Sequence, residues 1–158
     1  MSVQTSQSGA VTGGVKWILR LEGLTIFLFA AFILKNFIGM GIPLYTMVLL
    51  FLAPDLSFLG YLISKRVGAI CYNLMHSYIT AFIFGYLFLF LGQYVMSTKY
   101  NFFPEAWNEM SIGYLAYIIM LIWIAHIGVD RALGFGLKYS EGFEFTHLGI
   151  LKRFSSKK

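Results

Sequence analysis

Charge is scarce in this chain of 158 residues. Asp, Glu, Lys and Arg make up only 12% of it, against roughly a quarter of a soluble globular domain. Cysteine occurs once, at Cys71, which excludes a disulfide framework. The sequence contains no phosphate-binding glycine loop, no dinucleotide-binding glycine pattern and no zinc-finger spacing. These shortages exclude an ordinary soluble domain and a disulfide-stabilised secreted one, and no common enzyme motif assigns an activity.

Apolar residues take the place of the missing charge. Hydrophobic side chains make up 58% of the chain and aromatic ones 18%. They form four runs, at about 17–37, 42–63, 69–95 and 110–137. Each run is near or above the roughly 20 residues that a helix needs to cross a bilayer. Because the runs show no alternation of polar and apolar residues, a membrane β-barrel is excluded. The sequence predicts an all-α protein, a four-helix transmembrane bundle formed by residues 16–138 as one domain.

The two ends of the chain are more polar than the predicted bundle. Residues 1–15 are rich in Ser, Gly, Thr and Gln and are predicted to be disordered. Residues 139–158 are predicted to form a cytoplasmic tail, because four crossings place most basic residues on one side. The residues on that side are Lys16, Arg20, Lys65, Arg66, Arg131, Lys138, Lys152, Arg153, Lys157 and Lys158.

This charge bias predicts the orientation of the protein. Only Lys35 and Lys99 fall on the other side. By the positive-inside rule both termini face the cytoplasm, in a multi-pass protein of the cell (inner) membrane. The net charge of +5 is explained by this bias. The expected partner is therefore the lipid bilayer, and nucleic acid is not required.

Ionisable side chains interrupt the apolar runs near one end of the predicted bundle. They are Glu22, Asp55, His76, His126 and Asp130. At 1.5 Å per residue their offsets from the helix ends put them roughly 7 to 17 Å below the cytoplasmic face, in one layer. An ionisable group inside a membrane normally faces a bundle interior or a wet cavity. The sequence therefore predicts a polar site in the cytoplasmic leaflet.

The spacing within the fourth run indicates the chemistry of this site. His126 and Asp130 are four residues apart and share one helix face. In the third run Asn73 and His76 are likewise neighbours on one face. Bundles that direct carboxylates and imidazoles inward are a known architecture for metal sites. His and Asp together suit zinc, iron or manganese better than calcium.

Pro54 and Asp55 predict a break in the second helix. Proline has no amide hydrogen, so the carbonyl near Leu50 is expected to lose its usual partner. A break at membrane depth is tolerated where it lines protein or a cavity, which favours a site role for Asp55. The alternative is that Asp55 caps the second half-helix by accepting backbone N–H bonds.

Two other residues have a site role and a structural alternative. His147 follows Gly134 and Gly136, so the tail can fold back and place this imidazole over the site. In the alternative, the tail lies in the headgroup layer with its phenylalanines as anchors. Glu22 either serves the site or forms an ion pair with a nearby arginine. The anchoring phenylalanines are Phe143, Phe145 and Phe154, and the arginines are Arg20 and Arg131.

Five segments carry a resemblance to a known family. They read LRLEG at 19–23, LAPDLSFLGY at 52–61, YNLMHSY at 72–78, AHIGVDRALGFGLKY at 125–139 and THLG at 146–149. Over residues from about 17 to 151 the chain resembles the small integral membrane family catalogued as domain of unknown function 4260. The resemblance implies a small four-helix membrane protein with no assigned activity.

The leading functional hypothesis is a membrane-embedded metal-dependent enzyme, hydrolase-like, that acts on a lipid or another amphiphile. His76, His126 and Asp130 are expected to bind the metal, with Asp55 as a fourth ligand or general base. Glu22 is expected to orient a ligand or the attacking water, and His147 to complete the metal shell.

Two alternatives remain open from the sequence. One is a small proton-coupled transporter that works as a homo-oligomer, with Pro54 supplying a broken helix. The other is a structural subunit of a larger membrane complex, in which the charged groups pair with one another.

Overall fold

The protein is mostly helical, as predicted. The structure, a computed structural model, describes residues 10–38, 42–97 and 112–151. The helices are α1 (Gly13–Leu34), α2 (Leu44–Leu52), α3 (Lys65–Met75), α4 (Tyr78–Ser97) and α5 (Ile112–Leu133), and the strands are β1 (Phe145–Thr146) and β2 (Gly149–Ile150). Two 3-10 helices extend the first two of these, at Lys35–Phe37 and Ala53–Leu62. The predictions for residues 1–9, 98–111 and 152–158 lie outside the described residues.

Among the described residues, three segments are long and apolar enough to cross a membrane. A bent pair of helices would be a fourth if the two helices form one span. The three are Gly13–Phe37, Leu44–Leu62 and Gly113–Leu133. The pair is Lys65–Met75 with Tyr78–Leu91, bent by 57°. The single helix predicted at 69–95 is thus two helices. Their junction at His76 and Ser77 contains neither proline nor glycine, which is why the sequence did not indicate it.

The last long helix ends earlier than the predicted residue 137. Gly134 has a φ of +96°, a backbone conformation that favours glycine. Its amide donates to the carbonyl of Arg131, and the amide of Phe135 donates to the carbonyl of Asp130. This pair of bonds is the Schellman arrangement that terminates helices. The predicted end was wrong because Gly134 was counted within the apolar run.

α5 lies at the centre of the molecule. Of its apolar window 56% is buried, against 11% for each of the other two spanning segments. α5 packs against α1, α4 and α2, while α3 packs mainly against the 3-10 helix Ala53–Leu62. A Cβ at Gly128 would lie 2.8 Å from the amide nitrogen of Phe27 and 2.9 Å from the carbonyl oxygen of Gly23. The backbones of α1 and α5 therefore meet where both helices carry glycine.

Pro54 changes the winding of the second segment. The carbonyl of Leu50, which would bond to residue 54 in an α-helix, accepts the amide hydrogen of Ala53 instead. The chain continues for ten residues as a 3-10 helix, although such runs seldom exceed three or four residues. With three residues per turn, Asp55, Phe58 and Tyr61 align in one row.

The segment after α5 folds back on the end of the bundle. β1 and β2 form an antiparallel hairpin with Thr146 opposite Gly149, and Lys138 forms a bridge to Thr146. The amide of Val11, ahead of α1, donates to the carbonyl of His147. Within the tail predicted at 139–158, residues 139–151 are therefore ordered against the rest of the chain.

We expect Gly128→Ala to destabilise the protein, because the new methyl group meets the backbone of α1 rather than a flexible side chain. Overpacking of this kind costs about 1–3 kcal/mol. The matched control is Gly14→Ala, where nothing lies within 4 Å of the new carbon. Thermal unfolding in detergent should show a lower midpoint for Gly128→Ala alone. Equal midpoints for both variants would contradict the close contact of α1 and α5.

Candidate metal centre

Four of the side chains predicted for the site meet at one point. Asp55 comes from the first turn of the 3-10 helix, and His76 from the junction of α3 and α4. His126 and Asp130 come from one face of α5. Each offers one nitrogen or oxygen atom, and these four atoms all lie within 4.8 Å of one another. The convergence expected from their depth in the sequence is confirmed for these four.

The distances between the four atoms are short. Nε2 of His76 lies 3.1 Å from Nε2 of His126 and 3.4 Å from Oδ2 of Asp130. Oδ1 of Asp55 lies 3.5 Å from both imidazole Nε2 atoms. Nε2 of His126 lies 4.0 Å from Oδ2 of Asp130. In a tetrahedral zinc site with ligands at 2.0–2.1 Å, neighbouring ligand atoms are about 3.4 Å apart. The group therefore already has the size of a metal shell.

The site is closed on one side and open on the other. The side chains of His76 and His126 are each 3% exposed, and that of Asp130 is 16% exposed. Asp55 is 37% exposed. Access to the group therefore runs past the carboxylate of Asp55, on the side of the 3-10 helix.

The junction of α3 and α4 positions His76. Its amide donates to the carbonyl of Tyr72, and its Nδ1 lies 2.9 Å from the same oxygen. A proton on Nδ1 makes this contact a hydrogen bond and leaves Nε2 with a free lone pair directed at the site. The indole of Trp123 donates to the carbonyl of Met75. The backbone break is thus stabilised by a side chain from α5, as a break at membrane depth requires.

Tyr72 links two members of the group. Its hydroxyl donates to Oδ2 of Asp130 at 2.9 Å, and its ring stacks on the imidazole of His76 with centroids 3.7 Å apart. Phe58 stacks on Tyr72 at 5.2 Å. Neither supporting role was predicted from the sequence. The spacing of Asp55, Phe58 and Tyr61 by three residues after a proline was the available signal.

His126 is held by packing. The ring of Phe51 contacts it edge-on, with centroids 5.1 Å apart. Its Nδ1 is buried and has no hydrogen-bond partner among the described residues. Nε2 is therefore the ring nitrogen through which this histidine interacts with the rest of the group.

Lys138, which the sequence singled out only as one of the basic residues of the cytoplasmic side, is a buried cation near Tyr72 and Asp130. It is 3% exposed, and its ammonium lies 5.0 Å from the ring centroid of Tyr72 and 3.9 Å from that of Phe143. Burial lowers the pKa of Lys138 from 10.5 to about 8, although Asp130 and Glu144 act in the opposite direction. The side chain is therefore still mostly protonated at neutral pH.

Asn73 fixes the backbone of Lys138. Its Nδ2 donates to the carbonyl of Lys138 at 2.9 Å, and its Oδ1 accepts the amide hydrogen of Lys138 at 2.7 Å. The side-chain amide of Asn73 thus bonds to both backbone groups of Lys138, as a residue of a neighbouring β-strand would. Asn73, predicted to share a face with His76, anchors the segment after α5 instead of joining the four-residue group.

His147 does not join the group. Its Nδ1 accepts the amide hydrogen of Leu137 at 2.8 Å, and its Nε2 lies 3.4 Å from Nη1 of Arg131. Burial, followed by the charge of Arg131, lowers the pKa of His147. Gly136 leaves room for this ring, since a Cβ there would lie 2.5 Å from Nδ1. Its expected role as a metal ligand is corrected: the ring fastens the hairpin to the chain after α5.

Glu22 also lies apart from the four atoms. It is on the exposed surface of α1, and no ion pair joins it to Arg20 or Arg131 among the described residues. Arg20 instead donates to the carbonyl of Ala132 at 2.7 Å. Asp55 lies in the first turn of the 3-10 helix, whose N-cap residue is Leu52. Its side chain faces the two histidines, as the site interpretation predicted.

We expect Asn73→Ala to loosen the segment that carries Lys138, because two hydrogen bonds to its backbone are lost. Hydrogen–deuterium exchange should show faster exchange of the Lys138 amide, by about tenfold for a loss near 1.4 kcal/mol. The control is Asn36→Ala, since the side chain of Asn36 is exposed and bonds only to carbonyls of its own helix. Unchanged exchange in Asn73→Ala would contradict the anchoring role.

Comparison with known proteins identifies the family of the chain. Residues 16–151 match the family described as Domain of unknown function (DUF4260). No curated protein and no solved structure matches the chain. The match covers well over half of the 158 residues and confirms the resemblance seen in the sequence. The chain therefore belongs to the DUF4260 family, whose function is uncharacterised.

Proposed function

We propose that this protein is a membrane-embedded metal-dependent hydrolase that acts on a lipid or another amphiphile. One observation carries the proposal: four potential ligand atoms, from Asp55, His76, His126 and Asp130, lie within 4.8 Å of one another. Each of the four atoms has a lone pair that it can donate to a proton or to a metal ion. Grouped in a poorly solvated place, they need positive charge between them, and a divalent cation supplies it.

The donor set favours zinc, iron or manganese over calcium and magnesium. Two imidazole nitrogens and two carboxylate oxygens are ligands that zinc and iron accept, whereas calcium and magnesium prefer oxygen alone. Five of the atom pairs are 3.1 to 4.0 Å apart. This range includes the distance of about 3.4 Å between neighbouring ligand atoms in a tetrahedral zinc site. Two carboxylates also balance the charge of one divalent ion.

The four residues divide into a buried set and an accessible one. His76, His126 and Asp130 are held by helix packing and by the contacts of Tyr72, so they suit permanent ligands. Asp55 is the most exposed member at 37%, and it suits a ligand that yields to water or a general base. A bound metal would supply Lewis acidity and make a coordinated water more acidic.

The reaction class follows from this division. Asp55 would take a proton from the attacking water while the water oxygen bonds to the carbonyl carbon or phosphorus of an ester. The ester bond to the leaving oxygen breaks, and Asp55 returns the proton to that oxygen. Lys138 provides positive charge near the group, and Tyr72 holds Asp130 through the hydrogen bond that its hydroxyl donates.

An apolar groove next to the site supports an amphiphilic substrate. It has a volume of about 320 Å³ and is lined by Phe84, Gly85, Phe88, Leu115, Ala116, Ile119, Met120 and Trp123. Trp123 precedes His126 by three residues, so the groove ends about one helical turn from the proposed ligands.

Membrane topology and assembly are part of the proposal. The charge bias of the sequence supports four crossings with both termini in the cytoplasm of the cell (inner) membrane. The described group then opens in the cytoplasmic leaflet, where ester groups of lipids lie. A homo-oligomer is compatible with the many exposed apolar side chains of α1, α2 and α4.

The 57° bend between α3 and α4 favours a second candidate, an oligomeric proton-coupled transporter. Discontinuous helices commonly line the sites of transporters, and the two imidazoles could then share protons with the carboxylates. Of the residues that could line an outer pathway, Tyr86 is 71% exposed on the surface of α4. This placement does not support a path through the protein, so the metal site remains the preferred proposal.

Elemental analysis tests the metal site directly. Detergent-purified wild type, prepared without chelator, should carry close to one zinc, iron or manganese per chain by plasma mass spectrometry. We expect the metal to be lost in His126→Ala and in Asp130→Ala, because each removes one proposed ligand.

The control is His147→Ala, which removes a histidine that lies outside the group. We expect it to retain the metal. A folded wild type without metal would refute the metal site and favour proton-coupled transport or a structural role. Metal retained in His126→Ala and lost in His147→Ala would contradict the assigned ligands.

Tyr72→Phe tests the hydrogen bond that supports Asp130. Loss of a partner that orients a ligand typically weakens metal binding by about 10- to 100-fold. The control is Tyr61→Phe, because the hydroxyl of Tyr61 is buried without a hydrogen-bond partner among the described residues. Competition with a fluorescent chelator should show weaker affinity for Tyr72→Phe alone. Equal affinity of both variants would show that Tyr72 does not position Asp130.

A further inference from the structure

Lys138 is the one buried lysine of the described residues, and neither the fold nor the proposed reaction has accounted for it fully. Lysine is almost never fully buried unless its charge is paired. Its Nζ has no hydrogen-bond partner, and no carboxylate lies within 4 Å of it, among the described residues. Its three N–H groups are therefore available to an acceptor from outside the described chain.

Aromatic rings are the nearest partners of the Lys138 ammonium. Three aromatic rings surround the ammonium: Phe143 at 3.9 Å, Tyr72 at 5.0 Å and Phe135 at 5.6 Å. The faces of such rings attract a cation but supply no lone pair comparable to that of an oxygen. Asp130 and Glu144 act on the ammonium electrostatically from further away. The site thus holds a positive charge whose hydrogen-bonding capacity is unused.

The position of this charge is fixed with respect to the metal centre. Asn73 bonds to both backbone groups of Lys138, and Thr146 pairs with it on the other side. The ring of Tyr72 lies 5.0 Å from the ammonium and 3.7 Å from the imidazole of His76. The ammonium therefore lies within about 9 Å of that imidazole.

The net charge of the metal-loaded site indicates the charge of its substrate. Asp55 and Asp130 together neutralise one divalent metal ion. Lys138 and Arg131 both act on His76 as positive charges, and Glu144 offsets only one of them, so the occupied site keeps an excess of positive charge. We propose that the site takes an anionic substrate with a phosphate group and that Lys138 is the residue that selects for this group. The inference rests on the proposed metal centre and adds to it the chemical class of the substrate.

The size of the effect can be estimated from the distance. A phosphate bound where the imidazole of His76 lies would be at most about 9 Å from the ammonium. Two unit charges that far apart, in surroundings with an effective dielectric constant near 20, change an affinity by about twentyfold. An exposed lysine has a much smaller effect on a bound anion, because solvent screens charges at the surface. Removal of the Lys138 charge should therefore weaken phosphate binding, whereas removal of an exposed lysine should not.

The test uses the full chain in detergent, loaded with zinc, and titrated calorimetrically with inorganic phosphate and with dodecyl phosphate. Lys138→Met keeps most of the side-chain volume and removes the charge, and Lys138→Arg keeps the charge. Lys65→Met is the matched control, because Lys65 is exposed at the start of α3. Zinc content, measured for every variant, reports separately on the metal centre.

We expect about twentyfold weaker phosphate binding in Lys138→Met, at unchanged zinc content, and near wild-type binding in Lys138→Arg and Lys65→Met. Tighter binding of dodecyl phosphate than of inorganic phosphate supports the inference with a lipid as the source of the group. Equal affinities for dodecyl phosphate and inorganic phosphate support the inference with a free phosphate compound as the source of the phosphate group.

Two results would overturn the inference while the metal centre stands. One is a zinc-loaded wild type that binds neither phosphate compound, and the other is Lys138→Met with unchanged affinity. Failure of the wild type to take up zinc, iron or manganese would refute the proposed function itself, and the zinc measurement distinguishes that case.

Discussion

The close approach of two imidazole nitrogens and two carboxylate oxygens is the constraint on which the rest of the structure depends. Nε2 of His76 and Nε2 of His126 are 3.1 Å apart, with Oδ1 of Asp55 at 3.5 Å from both. Lone pairs at such distances repel unless protons or a metal ion lie between them, and the penalty is largest where water is excluded. The surrounding fold therefore has to hold these atoms together, and its irregular features do this.

Two departures from regular α-helix bring the four residues together. The junction after Met75 turns His76 inward. The indole of Trp123 donates to the carbonyl of Met75, and Nδ1 of His76 lies 2.9 Å from the carbonyl oxygen of Tyr72. The change to 3-10 winding at Pro54 aligns Asp55 with Phe58, whose ring packs on Tyr72. α5 needs no such irregularity, because His126 and Asp130 already share a face at a spacing of four residues. Irregular backbone in this protein thus occurs beside the proposed site, as is common in membrane proteins with a polar centre.

The sequence was sufficient to predict the helical class, the approximate spanning segments and the four residues of the group, because ionisable residues are conspicuous within apolar runs. It was not sufficient to predict the break at His76, since no proline or glycine marks it. The burial of Lys138 and the separate position of His147 depend on how the hairpin docks against Asn73 and Leu137. Such contacts between distant segments leave no periodic signal, and for that reason the sequence did not indicate that His147 lies outside the four-residue group.

X-ray absorption spectroscopy of the zinc-loaded protein tests the central claim most directly, because it reports the ligands of the ion without requiring a known substrate. The account predicts a first shell of nitrogen and oxygen atoms at about 2.0 Å, with the outer-shell scattering of two imidazoles. His76→Ala should reduce that imidazole scattering by half. A spectrum without imidazole scattering, or one that His76→Ala leaves unchanged, would contradict the proposal that these residues form a metal centre.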